Sequence, residues 1–141
     1  MQVDLITEPR WTRNRTTFTE NPQWAAAITR AMVLGYQGPS VGFDSVAEVI
    51  KHFPGDGSVL RGKDPHDAVG QFAVYPTTGS LFTYQVPAFQ AAVDAGVSAI
   101  MRDARRLRQR GGGTEADRDG DGGNPGDRAE SAVERHIVSF R

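Results

Sequence analysis

The sequence has no cysteine, no excess of either charge and no long apolar run, and each absence excludes a class of protein. Without cysteine, the 141 residues can form no disulfide framework, no thiolate metal site and no cysteine nucleophile. The 16 basic and 17 acidic residues give a net charge of -1, which argues against bulk electrostatic binding to nucleic acid. No apolar run approaches the ~18–20 residues of a membrane-spanning helix, and the start of the chain lacks the pattern of a secretory signal. We therefore expect neither a nucleic acid nor a membrane as partner, and the sequence assigns no compartment.

The composition changes near residue 101. Residues 1–101 contain nearly all of the large apolar side chains, whereas residues 102–141 have no tryptophan, tyrosine or lysine. Residues 111–127 mix glycine with aspartate, arginine and proline, a composition that cannot bury enough apolar surface to offset its backbone entropy. The sequence predicts a folded segment over residues 1–101 and a disordered low-complexity tail over residues 102–141.

The first segment alternates strand and helix patterns. Asn21 suits an N-cap and Pro22 the first helical position, and Gly96 suits a helix end. The predicted elements are a strand over 3–6, a helix from Pro22, a strand over 46–53, a long loop over 54–80, a helix over 86–95 and a strand over 97–101. This order predicts βαβ units, a parallel sheet and the α/β class, in which ligands bind at the carboxyl ends of the strands.

Apolar residues recur every three or four positions in the first predicted helix, which indicates one buried face. The expected core stripe consists of Trp24, Ala27, Ile28, Ala31, Met32 and Gly35. We expect both tryptophans, Trp11 and Trp24, to pack in the core rather than to stack on a sugar.

The strongest candidate for chemistry is the segment 51–57, with the sequence KHFPGDG. Lys51 and His52 end a predicted buried strand, but adjacent strand residues point to opposite faces. A bend or an unusual peptide near Pro54 would let both side chains reach one ligand. A cation and an imidazole together suit sugar hydroxyls or an anion. The alternative is a surface lysine beside a histidine that is hydrogen-bonded within a turn.

This segment resembles the KHFxGxG motif of glycoside hydrolase family 3, the β-glucosidase-like enzymes. Other blocks resemble the family in the same order, including a DPRWGR-like block and a TFGEDP-like block. The matching blocks are residues 7–13, 17–22, 32–38, 51–57, 62–66, 74–76 and 86–92. The resemblance covers residues 3–101 and ends where the apolar pattern ends. It also suggests an unusual peptide near residues 51–54, and we predict a cis bond at 51–52 or 53–54.

The resemblance implies part of a (β/α)8 barrel and retaining hydrolysis of β-linked sugars by two carboxylates. It carries over a sugar-binding set, Arg13, Lys51 and His52, with a β-linked glucoside or oligosaccharide as partner. The family's nucleophile block is absent, and Asp44 precedes the KHF motif, so we assign no catalytic residue. We expect no cofactor and no metal, and we expect the chain to be inactive alone.

Two other functions remain open. The chain could be a stand-alone sugar- or anion-binding module, or a non-functional product whose residues 102–141 come from a shifted reading frame. Weaker motifs point elsewhere but fail at a required position. A phosphate-loop-like segment, 57–64, has Asp64 where a hydroxyl is needed, and a calcium-loop-like segment, 117–128, has Arg128 where a glutamate is needed. An arginine run over 102–110 has no interleaved aromatic residue on which bases could stack.

Overall fold

A computed structural model describes residues 1–64, 66, 72–75, 77–102 and 106–109. The helices and strands are α1 (Pro22–Tyr36), β1 (Val49–Phe53), β2 (Phe72–Tyr75), α2 (Val86–Asp94), β3 (Ala99–Arg102) and β4 (Arg106–Gln109). Strand β1 pairs with β3, and β2 pairs with β4, both in parallel. The predicted α/β class with parallel pairing is therefore confirmed. Within the described residues, neither helix is long and apolar enough to cross a bilayer.

Helix α1 begins as predicted but buries a different face. The Asn21 side chain accepts a hydrogen bond from the backbone N–H of Trp24 at 3.0 Å, and Pro22 is the first helical residue. The buried residues are Pro22, Ala25, Thr29 and Val33, and the helix packs against α2. Trp24 is 68% exposed, so the predicted core stripe is wrong. Apolar residues lie on nearly every side of this helix. The buried ones are small, and small side chains allow α1 and α2 to approach closely.

The predicted strand over residues 3–6 is reduced to a single bridge between Gln2 and Lys51. Around it, Val3 N–H donates to the Lys51 carbonyl at 3.0 Å, and Lys51 N–H donates to the Met1 carbonyl at 2.9 Å. The next donor along β1, the N–H of His52, bonds instead to the side chain of Asp4 at 3.2 Å. The Asp4 side chain thus adds a bond to β1 beside this single bridge.

The predicted loop over 54–80 contains regular structure, which corrects that prediction. It includes a 3-10 turn over Leu60–Gly62 and strand β2, and a π-helical turn over Leu81–Gln85 extends α2 backwards. The short apolar run of β2 is flanked by glycines and prolines, which indicated a loop. Ala73 and Tyr75 in this strand are nevertheless fully buried. Strand β4 and Arg102, the last residue of β3, lie in the segment assigned to the tail, and the remaining tail residues fall outside the described residues.

The core joins β1 to α2. Ile50 and Phe53 on the strand are buried together with Phe89 and Ala92 on the helix. The rings of Phe53 and Phe89 meet edge to face, with 5.4 Å between centroids and 84° between planes. Helix α2 ends as predicted at Gly96, whose φ is +78°. This packing fixes the carboxyl end of β1, where Lys51 and His52 lie.

Candidate functional site

His52 lies at the centre of a buried cluster with two aspartates. Its Nδ1 is 3.0 Å from an Asp56 carboxylate oxygen and 3.4 Å from an Asp4 carboxylate oxygen. The other oxygen of Asp4 accepts the backbone N–H of His52 at 3.2 Å and that of Asp56 at 2.8 Å. All three residues are buried. Asp4, from the first extended segment, therefore holds both ends of the turn that follows β1.

The two carboxylates keep the imidazole protonated. Burial alone would lower the pKa of His52, but the hydrogen bonds and charges of Asp4 and Asp56 outweigh it and raise the pKa to about 9. Burial raises the pKa of Asp4, the hydrogen bond from His52 opposes this, and the charge of Asp56 adds to the rise. Near neutral pH the ring is thus an imidazolium whose Nδ1–H faces carboxylate oxygens.

Two glycines allow the turn after β1 to pack closely against its neighbours. A Cβ on Gly57 would lie 1.4 Å from the carbonyl oxygen of Leu5, so no other residue fits there. Gly55 has a φ of +134°, and a Cβ on it would lie 2.5 Å from the buried side-chain oxygen of Gln85. The peptide bonds 51–52 and 53–54 are both cis, as predicted.

A second buried carboxylate, Asp64, organises the neighbouring loop. It accepts the indole N–H of Trp11 at 2.7 Å and the backbone N–H of His66 at 2.9 Å. Its oxygens also lie 2.6 Å from His66 Nδ1 and 3.9 Å from Arg13 Nη1. Burial alone would raise the pKa of Asp64, but the hydrogen bonds from His66 and Trp11 and the charge of Arg13 lower it below its usual value. A stable negative charge thus lies beneath Arg13.

Arg13 is linked to the KHF segment by two routes. One guanidinium nitrogen donates to the side-chain oxygen of Gln2 at 3.1 Å, and the backbone of Gln2 pairs with that of Lys51. The other guanidinium nitrogen lies 3.2 Å from His66, whose ring centroid is 6.2 Å from that of His52. Arg13, which lies far from Lys51 and His52 in the sequence, is therefore brought close to the strand that carries them. Arg13 also lies 6.0 Å from the Trp11 ring centroid, within cation–π range.

Comparison with known proteins places this arrangement in a family. Residues 2–106 match the family model described as the glycosyl hydrolase family 3 N terminal domain. The chain belongs to glycosyl hydrolase family 3. The helices and the strands up to β3, with this site at the carboxyl end of β1, lie within the matched residues.

Family 3 relatives are much longer than this chain. It is 42% identical over 100 residues to a probable β-glucosidase C of Aspergillus flavus, covering 71% of this chain and 16% of the relative. It is 33% identical over 102 residues to a periplasmic β-glucosidase/β-xylosidase of Dickeya chrysanthemi, covering 71% and 15%. A β-glucosidase from Listeria innocua, solved in complex with glucose, superposes with a TM-score of 0.66 at 27% identity, covering 76% and 15%. The chain thus spans about a sixth of these proteins.

Sequence reasoning singled out Arg13, Lys51 and His52 as a sugar-binding set, which stays a prediction, and gave no role to several residues around them. Asp4, Asp56, Asp64 and His66 were assigned no role. Asp4 offered a signal in the sequence, because it is an acidic residue inside the apolar run over residues 3–6, and such a residue is buried only when it is paired. Trp11 is buried as predicted, with its indole nitrogen bonded to Asp64, whereas Trp24 is exposed.

Asp44 lies away from the cluster. It is exposed in the loop that precedes β1, at the amino end of the strand, whereas Lys51 and His52 lie at the carboxyl end. The carboxylates of Asp4 and Asp56, near the carboxyl end of β1, both pair with the His52 ring. Asp4, His52 and Asp56 bring three polar atoms within 4.8 Å of one another, and Nδ1 of His52 lies 3.0 Å from a carboxylate oxygen of Asp56 and 3.4 Å from one of Asp4. We therefore interpret this group as an ion-pair cluster.

Proposed function

We propose that this chain forms part of the (β/α)8 barrel of a retaining β-glycosidase, and that Arg13, Lys51 and His52 form a subsite for one sugar unit of a β-linked glucoside. Its family membership and the likeness to a glucose-bound β-glucosidase support the substrate class. The parallel pairing of β1 with β3, each preceded by a helix, supports the barrel.

The observation that carries the proposal is that Arg13 and His52 are brought together through His66 near the carboxyl end of β1, where Lys51 directly precedes His52. The neighbouring carboxylates of Asp4 and Asp56 keep His52 protonated. Gln2, His66 and Asp64 orient the Arg13 guanidinium. Sugar hydroxyl oxygens accept hydrogen bonds, and bonds from charged donors are about twice as strong as neutral ones. Such a set holds a sugar in one orientation.

The charges of the site favour a sugar over an anion. Arg13 and His52 lie beside three buried carboxylates, those of Asp4, Asp56 and Asp64, and Lys51 adds a third positive charge next to His52 in the sequence. The cluster is therefore close to neutral, and it supplies directed donors without a net positive field. A free anion therefore gains little net Coulomb attraction from such a site, whereas a neutral polyhydroxyl ligand can still accept its hydrogen bonds.

We further propose that the chain alone does not hydrolyse glycosides. A retaining enzyme needs one carboxylate that attacks the anomeric carbon and another that protonates the leaving oxygen. Asp4 and Asp56 are committed to His52, and Asp64 to Trp11 and His66. We expect no release of phenol from an aryl β-glucoside above the buffer rate, and turnover that depends on Lys51 would contradict the proposal.

Glucose binding tests the subsite itself. The chain has three histidines, so their ring signals are easily resolved by NMR. We expect millimolar glucose to shift the ring signals of His52 and His66, while sorbitol, an acyclic polyol of the same class, leaves them unchanged. Equal shifts with both compounds, or none with either, would contradict a sugar subsite.

A further inference from the structure

The Asp4 side chain makes three contacts to the KHF turn, which comprises residues 51–57. One of its oxygens accepts two backbone N–H groups, those of His52 and Asp56, and the other faces the His52 ring at 3.4 Å. Asp4 is 1% exposed, and its partners are 48 and 52 residues away in sequence. It therefore sets both the course of the turn and the orientation of the ring.

The geometry gives the two ring nitrogens of His52 different roles. Nδ1 faces the carboxylates of Asp4 and Asp56, at 3.4 and 3.0 Å. Nε2 makes no hydrogen bond to any residue in the described part of the chain, and it is the nitrogen left for a ligand. An imidazolium is a donor at both nitrogens, whereas a neutral ring that keeps its Nδ1–H would offer Nε2 as an acceptor.

From this we propose that Asp4 and Asp56 are positioning residues that hold His52 as a fixed donor, so that the subsite selects a ligand with an acceptor oxygen at the Nε2 position. The inference rests on the proposed function for the identity of the ligand as a sugar, but its geometry stands without the sugar. It assigns His52 a donor role and excludes it as a general base in this arrangement.

The other charged groups near His52 do not replace these two. His66 is the closest further ring, with 6.2 Å between centroids, and its Nδ1 is engaged with Asp64 and Arg13. Lys51 is the adjacent residue and is itself cationic. Each of these groups is basic or already paired, so the positive charge of His52 depends on Asp4 and Asp56.

The test measures the pKa of His52. The pH titration of its ring nitrogens is monitored by ¹⁵N NMR without any sugar present. Variants Asp4→Asn and Asp56→Asn keep the shape of each side chain, and Asp4→Asn also keeps an acceptor for the backbone N–H groups. We expect the unsubstituted chain to titrate at about 9 and both variants to titrate clearly closer to the ordinary 6.5. Asp44→Asn, at an exposed site before β1, is the matched control and leaves the titration unchanged.

A second readout uses glucose as the probe. Between pH 6.5 and pH 8 the affinity of the unsubstituted chain for glucose should stay constant. In both variants this affinity should fall severalfold over the same range, because the His52 ring becomes neutral. Titration of His52 near 6.5 in the unsubstituted chain, or at an unchanged pH in both variants, would overturn the positioning role. Absence of glucose binding by the unsubstituted chain would instead overturn the proposed function, and the ring titration would still decide the role of Asp4 and Asp56.

Discussion

Removal of the Asp64 carboxylate should destabilise the loop that carries Arg13. Asp64 is 3% exposed and accepts hydrogen bonds from the indole of Trp11 and the backbone of His66. A hydrogen bond to a charged group contributes about 1.5–3 kcal/mol, and a buried donor left without a partner costs about 1–3 kcal/mol. We therefore expect Asp64→Ala to lower the free energy of unfolding by about 3 kcal/mol and Asp64→Asn, which keeps an acceptor oxygen, by about half of that.

Trp11 itself provides the assay. The chain has 2 tryptophans, and Trp24 is 68% exposed, so Trp24→Phe leaves the buried Trp11 as the only indole reporter at little cost. In that background, urea unfolding is followed by the red shift of Trp11 emission, and acrylamide quenching reports on the loop before unfolding. Asp94→Asn, at an exposed helical position, is the control and should stay within about 0.5 kcal/mol.

The reasoning would be refuted by an Asp64→Ala variant as stable as its parent, with Trp11 equally protected from acrylamide. Such a result would mean that the indole nitrogen finds another partner and that Asp64 does not anchor the loop. A loss confined to Asp64→Ala, with Asp64→Asn unaffected, would show that the acceptor oxygen matters and the charge does not.

Two further predictions concern the turn after β1 and its pH dependence. Gly57→Ala should abolish soluble expression, because its Cβ would overlap the carbonyl of Leu5, whereas Gly35→Ala, with open space around its Cβ, should express normally and gain up to about 1 kcal/mol; equal yields would contradict this. The pKa of His52 is higher in the folded chain, about 9 against 6.5, so its contribution to stability is complete below pH 6.5 and is lost as the pH rises through 9, a change of about 3 kcal/mol. The raised pKa of Asp4 acts in the same direction at acid pH. Urea midpoints at several pH values should therefore fall over this window in the unsubstituted chain and remain level in His52→Gln, and parallel curves would contradict the assignment.

The features predicted correctly are those that local chemistry determines. Asn21 and Pro22 set the start of α1, and Gly96 closes α2, because each acts on backbone groups a few residues away. The strand–helix order then implied parallel pairing, which β1 and β3 adopt. The KHF segment stood out because its residue types are unusual at the end of a buried strand.

The features that sequence reasoning missed depend on distant partners. Asp4 interrupts an apolar run, and its role appears only when His52 and Asp56 are brought to it across about fifty residues. Packing against α2 determines which face of α1 is buried. The apolar pattern of α1 alone does not predict this face, because small residues occur on every side of the helix. Trp24 was therefore assigned to the core although it is exposed.

The chain has two lysines, and they offer the most direct test of the sugar subsite. Lys51 lies at the carboxyl end of β1, while Lys63 is exposed on the neighbouring loop. The measurement is the dissociation constant of glucose for Lys51→Ala and for Lys63→Ala. Loss of one charged hydrogen bond, about 1.5 kcal/mol, should weaken binding about tenfold in Lys51→Ala and leave Lys63→Ala unchanged. Equal affinities in the two variants would contradict the account.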